Sequence, residues 1–345
     1  MCPKSATPAA DTKRLAGPIS ILSLVAGSFA KTLPSLILTQ GVMYGLGFLI
    51  FYYPILSMVD EYWIRRRGMA YGLLCSASGA SGTVMPLVMQ ALLRKYGYPT
   101  TLRATAVALL LATGPLVPML KGRLPVSTTA GLRTDWSFMK KPLFWVYSLS
   151  NLIQGLGYFF PSLFLPSYAT SIGLNGWQGA LLLTVMSISQ VLGQFTFGYL
   201  SDRRRLLPFL MAISMLVSAI ATFSLWGASR SFPPLLIFAM LFGFFGAGYT
   251  ALWGRMVSAV SDYGEETPGQ SNAAQAQAMF SCFCFGKGVG NVLAGPISAG
   301  LIMNAVHVGT YGALRYKAVI VFTGVSMLLS AMSIGPWYLR PKARD

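Results

Sequence analysis

The sequence is short of charge. Asp, Glu, Lys and Arg together make up 10% of its 345 residues, against about 25% in an ordinary soluble domain. So few charges cannot cover a water-facing surface. Hydrophobic residues reach 54% and the mean hydropathy is +0.59, so most of the outer surface has to face lipid. That excludes a soluble enzyme, a disordered chain and a secreted disulfide scaffold. Acids are scarcest, nine against 26 Lys and Arg. All nine (Asp11, Asp60, Glu61, Asp135, Asp202, Asp262, Glu265, Glu266 and Asp345) fall in loops, tails or helix ends, which leaves no carboxylate to carry a proton at mid-membrane. There is one histidine, His307, and there are four cysteines, Cys2, Cys75, Cys282 and Cys284. Cys282 and Cys284 stand two apart, so on a helix they point about 200° from one another and cannot share a metal. No metal, cofactor or acid–base enzyme chemistry is expected.

What the sequence has instead is a series of long apolar runs. A bilayer core needs about 20 apolar residues in a helix. Ten candidates run Leu15–Ala30, Leu36–Val59, Met69–Leu92, Leu102–Leu120, Leu143–Ala169, Gly176–Leu200, Leu206–Ala228, Pro233–Gly254, Ala276–Asn304 and Tyr316–Leu339. The net charge of +17 does not point to nucleic acid, because the basic residues form short clusters between spans and not one face of a domain. With both termini cytoplasmic, 17 Lys and Arg fall in inner segments and 6 in outer ones, the asymmetry that orients membrane helices. Residues 121–142 are the longest polar stretch between spans and read as a cytoplasmic linker. They separate a four-helix bundle at 1–120 from a six-helix bundle at 143–345. The expected fold is all-α: a polytopic two-bundle transporter of about ten helices, 4 + 6.

Motifs in order along the chain carry a resemblance. Tyr62-Trp63-Ile64-Arg65-Arg66-Arg67-Gly68-Met69-Ala70-Tyr71-Gly72 is followed by the small-residue stretch Ser76–Gly82. The second half carries Gln154–Pro161, Gly198-Tyr199-Leu200-Ser201-Asp202-Arg203-Arg204, Gly246–Trp253, Gly286–Asn291 and Gly295–Ser298. Over about residues 15–340 the chain resembles the monocarboxylate-porter-like family of the major facilitator superfamily, in particular its fungal members. The resemblance implies the two-bundle transporter fold. Three departures stand out. The family's first two helices, with their acidic-Gly-aromatic motif, are absent. The linker is short. The helix-eight Asp/Arg pair of animal proton-coupled lactate carriers aligns with Gln190 and Gln194, which argues against proton–lactate symport because glutamine cannot carry a proton.

Lys287 is the candidate that matters most. It lies near the middle of a span, between Gly286 and Gly288, where a cation costs about 2.5–3.5 kcal/mol on insertion scales. With no acid at its depth, an anionic ligand is a natural partner; snorkelling or donation to backbone carbonyls is the alternative. Asn291 shares its face. Asn151, Gln154 and Tyr158 line one helix face, as do Gln190 with Gln194, Gln40 with Tyr44, and Tyr249 with Trp253. Ligand contact and interhelical hydrogen bonding are equally open to each set. Asp202 with Arg203 and Arg204 reads as a cytoplasmic gate or helix-end cluster. Gly286-x-Gly-x-Gly follows no strand and is a packing or bending element, not a phosphate loop. The leading reading is therefore a multi-pass, plasma-membrane secondary transporter, or its remnant, that moves a small organic anion or carboxylate-type metabolite. Its partners are that solute and the lipid bilayer. Phe159, Phe160, Tyr249 and Trp253 lean toward a larger, more apolar solute, such as an exported fungal secondary metabolite. A non-transporting membrane receptor is the reading from a different class.

Overall fold

The structure is a computed structural model and describes residues 19–63, 67–116, 135–202, 206–263, 273–303, 311–313 and 315–334. Among these residues every regular element is a helix. Two compact units form: Met1–Arg65 with Met85–Arg133, and Arg66–Val84 with Thr134–Asp345. Residues 117–134, most of the stretch read as a linker, lie outside the described residues.

The first unit contains α1 (19–27), α2 (Leu33–Leu36, a π-helical stretch Ile37–Met43, then Tyr44–Tyr62) and the later part of α3 (Arg67–Thr113). Thr32 caps the start of α2. Helix α3 turns over at Gly97, whose φ of 74° is open to glycine and strained for other residues. The sequence reads two spans here, and this break separates them. Leu24, Leu102 and Ala106 form a small core, with Tyr44 packed against it. Gln40 donates to the Ser23 carbonyl at 3.3 Å, so this polar pair serves packing between α1 and α2. Arg103 donates to Ser28 Oγ at 3.1 Å and lies 4.6 Å from the centre of the Phe29 ring, which accommodates a cation within an apolar span.

The second unit holds the start of α3 and eight further helices: α4 (Pro142–Tyr158), α5 (Phe160–Ser171), α6 (Gly176–Ser201), α7 (Leu207–Ala221, continuing as a π-helix Thr222–Trp226), α8 (Phe232–Leu241, a π-helical turn Phe242–Gly246, then Ala247–Ala251), α9 (Trp253–Ser261), α10 (Ala273–Met303) and α11 (Lys317–Ser330). Asp135 caps a short 3-10 turn, Trp136–Lys140; bonds from the Ser137 hydroxyl and amide hold its carboxyl below the usual carboxylate range. The sequence reads one span over 143–169. The structure breaks it at Phe159, because Pro161 has no N–H to continue the helix. The span read at 233–254 continues to Ser261 after an interruption at Leu252. Among the described residues four helical stretches have the length and apolarity to cross a bilayer: Leu33–Tyr52, Gly176–Ser201, Leu207–Trp226 and Phe232–Ser261.

Glycines set the closest approaches. A Cβ on Gly290 of α10 would stand 2.6 Å from the Leu152 carbonyl of α4, and one on Gly155 would stand 2.8 Å from the Lys287 carbonyl. The small-residue stretch of α3 works in the same way. Gly79 within it abuts Val191, and Gly72 in the motif before it abuts the Gln194 carbonyl, both on α6. A π-turn leaves carbonyls without their usual i+4 donors, and hydrocarbon offers none. In α8 the Phe245 carbonyl accepts from Ser214 Oγ at 2.6 Å and the Gly246 carbonyl from Gln154 Nε2 at 3.3 Å. Outward faces carry large apolar groups such as Phe285, Val292 and Trp177, as lipid contact requires.

Candidate functional site

Lys287 is buried in the second unit, with 9% of its surface exposed. Its Nζ lies 4.1 Å from the centre of the Tyr158 ring and 5.4 Å from that of Trp253. Among the described residues it makes no hydrogen bond and no ion pair. The negative faces of two rings take the place of a carboxylate. Gly155 and Gly290 bring α4 against α10 and so put Tyr158 under the ammonium. Tyr158 in turn stacks on Phe242, with centroids 6.2 Å apart, and Trp253 meets Phe280 edge-on at 5.6 Å. The Cys75 and Cys284 thiols lie within electrostatic reach of the ammonium.

The amides on the same face of α4 are oriented. Asn151 Nδ2 donates to the Tyr147 carbonyl at 2.9 Å and Gln154 Nε2 to the Gly246 carbonyl, so each side chain turns its oxygen away from the carbonyl that its nitrogen serves. On α6, Gln194 Nε2 reaches Thr250 Oγ1 at 3.4 Å, and that hydroxyl itself donates to Ala247. The oxygens of Asn151, Gln154, Gln194 and Asn291 are all buried without a partner among the described residues, as is Trp253 Nε1. Gln190 is half-buried.

Tyr249 has a different setting. It is fully enclosed, and its hydroxyl bonds to Ser150 Oγ, which also donates to the Ser330 carbonyl at 2.8 Å; Ser330 Oγ returns a bond to the Ser150 carbonyl. This network ties α4 to α8 and α11. Tyr249→Phe is expected to lower stability by about 1–2 kcal/mol, read as a drop in melting temperature in detergent with uptake affinity unchanged.

At the far end of α6, Asp202 Oδ2 accepts from the Met69 amide in the first turn of α3 at 3.3 Å. Arg255 holds it from the side: Nη2 donates to the Asp202 carbonyl at 2.6 Å, Nε donates to Ser201 at 2.9 Å, and the ion pair measures 3.8 Å. Arg203 and Arg204 lie outside the described residues. The sequence points to Asp202 but not to Arg255, which sits at the edge of an apolar run with no spacing signal. It also misses Cys75, which the fold alone brings near Lys287.

The Major Facilitator Superfamily model matches residues 13–207 and 147–345. The chain belongs to this superfamily. Relatives include the "MFS transporter asaE" of Aspergillus flavus, 24% identical over 91% of this chain and 69% of that protein. Monocarboxylate transporter 12 of Xenopus laevis is 27% identical over 93% of this chain and 72% of its own length. The superfamily fold recurs in the crystal structure of the human organic anion transporter MFSD10, with a TM-score of 0.64, 15% identity, and coverage of 94% of this chain and 77% of that one. It recurs also in outward-facing FucP, with a TM-score of 0.67, 12% identity, and 97% and 83% coverage. The transporter is thus a membrane protein that carries a small molecule, not an enzyme. Its relatives are fungal superfamily transporters and monocarboxylate transporter 12.

Proposed function

We propose that this transporter moves a small organic anion or carboxylate-type metabolite by alternating access, with Lys287 drawing the negative charge to its place in the membrane. The observation that carries the reading is a buried ammonium held by two aromatic rings, with no hydrogen bond or ion pair among the described residues. A carboxylate offers such a lysine a charge-assisted hydrogen bond that the rings cannot. Asn291, Asn151, Gln154, Tyr158, Gln190 and Gln194 belong to the same proposed site, the amide oxygens accepting from donors on the solute. Tyr249 supports it through packing. Asp202, with Arg255, closes the cytoplasmic end, and Arg203 and Arg204 belong to that proposed gate. The division into bundles 1–120 and 143–345 joined by 121–142 is part of the same reading. Uptake of a radiolabelled monocarboxylate into vesicles, wild type against Lys287→Met, tests it.

A second reading is export of a larger acid with an apolar body, such as a fungal secondary metabolite. Phe159, 40% exposed, and the Tyr158–Trp253 pair favour it. Orientation follows the charge asymmetry: both termini are cytoplasmic, in the plasma membrane. A fluorescent protein fused after Asp345 is expected to resist protease in intact cells and to be digested after permeabilisation. Digestion in intact cells would refute this orientation.

A further inference from the structure

The two ends of the second unit differ in their acids. One end carries Asp135, Asp202 and Asp262 among Lys140, Lys141 and Arg255. The other carries residues 170–175, 229–232 and 311–317, which hold Arg230, Arg315 and Lys317 and no acid. The intervening sequence 304–310 adds no acid either. At this end, where α5 and α10 finish and α11 begins, lies a cavity of about 470 Å³, within the size range of small-molecule sites.

Its lining divides by chemistry. Arg315 is exposed and makes no hydrogen bond or ion pair among the described residues. Thr170 and Ser171 send their hydroxyl protons to the carbonyls of Ser167 and Tyr168, so they present oxygens and do not compete with Arg315 for an anion. The same lining includes an aromatic floor. Phe164 and Tyr316 meet at 6.2 Å and Tyr316 packs edge-on against Tyr168 at 5.6 Å. Tyr168 is buried and its hydroxyl donates to the Ser229 carbonyl at 2.8 Å, which fixes the floor to the neighbouring loop. A planar guanidinium beside a rigid apolar floor, in an acid-free surrounding, selects an anionic head attached to an apolar body.

We propose that this cavity is a binding site apart from Lys287, taking an amphipathic organic anion whose carboxylate or phosphate pairs with Arg315 and whose apolar part lies on Phe164 and Tyr316. A free aryl or alkyl acid and an anionic lipid share this chemistry. The test is equilibrium binding of 2-naphthoate to the full chain in phosphatidylcholine nanodiscs. Arg315→Ala is expected to weaken binding at least about tenfold without lowering the melting temperature, and Phe164→Ser is expected to weaken it with the arginine intact. The same loss on Arg315→Ala should appear in a Lys287→Met background, so failure of the Lys287 reading would leave this result standing. Adding phosphatidylglycerol separates the sources. Competition with 2-naphthoate that vanishes in Arg315→Ala means a lipid headgroup shares the site; no competition means the free acid alone occupies it. Wild type that does not bind 2-naphthoate in neutral discs, or Arg315→Ala that binds it equally, overturns the proposal.

Discussion

Lys287→Met is expected to reduce kcat/KM for anion uptake by about 10- to 100-fold, the equivalent of one lost hydrogen bond to a charged group, while membrane abundance holds. Two observations carry this. Among the described residues the ammonium of Lys287 is held by ring faces alone, at 4.1 and 5.4 Å, which leaves its hydrogen-bonding capacity for a solute. Methionine has nearly the same reach and removes a charge that costs about 2.5–3.5 kcal/mol at bilayer depth, so folding should not suffer. Lys287→Arg should recover part of the rate, since it keeps the charge but carries a broader head beside Tyr158. Radiolabelled uptake in vesicles, normalised to protein, reads both variants. Loss of protein from the membrane in Lys287→Met would mark a structural lysine, and full uptake would remove it from the transport site.

Gly290→Ala is expected to cost more stability than any other single methyl addition on α10. Its Cβ would meet Leu152 O at 2.6 Å, Leu156 N at 2.8 Å and Gly155 C at 2.9 Å, all of them backbone atoms of α4 that cannot turn aside. Overpacking of this kind costs about 1–3 kcal/mol, and separating the helices would also draw Tyr158 away from Lys287. Gly288→Ala is the control. It lies two residues away, with nothing within 4 Å of its Cβ, and alanine is the better helix former by about 1 kcal/mol. Size-exclusion profiles and melting temperatures in detergent should separate the two. Equal behaviour would mean that α4 and α10 are not locked at this point.

Much of the fold is legible in the sequence because lipid leaves so few solutions. Apolar runs of bilayer length must be helices, and a lone lysine within one announces itself. Within the small residues at 76–82, Gly79 shows the same directness, since a Cβ there would stand 2.8 Å from the Val191 side chain and 3.3 Å from the Ser187 carbonyl of α6. What was not legible arises between helices. Nothing in the spacing of Asn151, Gln154 and Tyr158 says which amide ends are already committed; that depends on the carbonyls of Tyr147 and Gly246. Gln40 matched the pattern of a ligand residue equally well and proves to bond Ser23. The ring pair around Lys287 comes from α4 and α9, far apart in sequence, and the π-turns leave no mark in hydropathy.

The π-turn Phe242–Gly246 has a consequence for angle as well as for hydrogen bonding. A π-turn accommodates one residue more than an α-turn, and each residue of an α-helix advances the azimuth by about 100°. Everything that follows is therefore rotated relative to the face set by Phe232–Leu241. That phase turns Tyr249 into the Ser150 network and leads the chain into Trp253 beside Lys287. A chain one residue shorter here would satisfy its own carbonyls better and would point a different side chain at the ammonium.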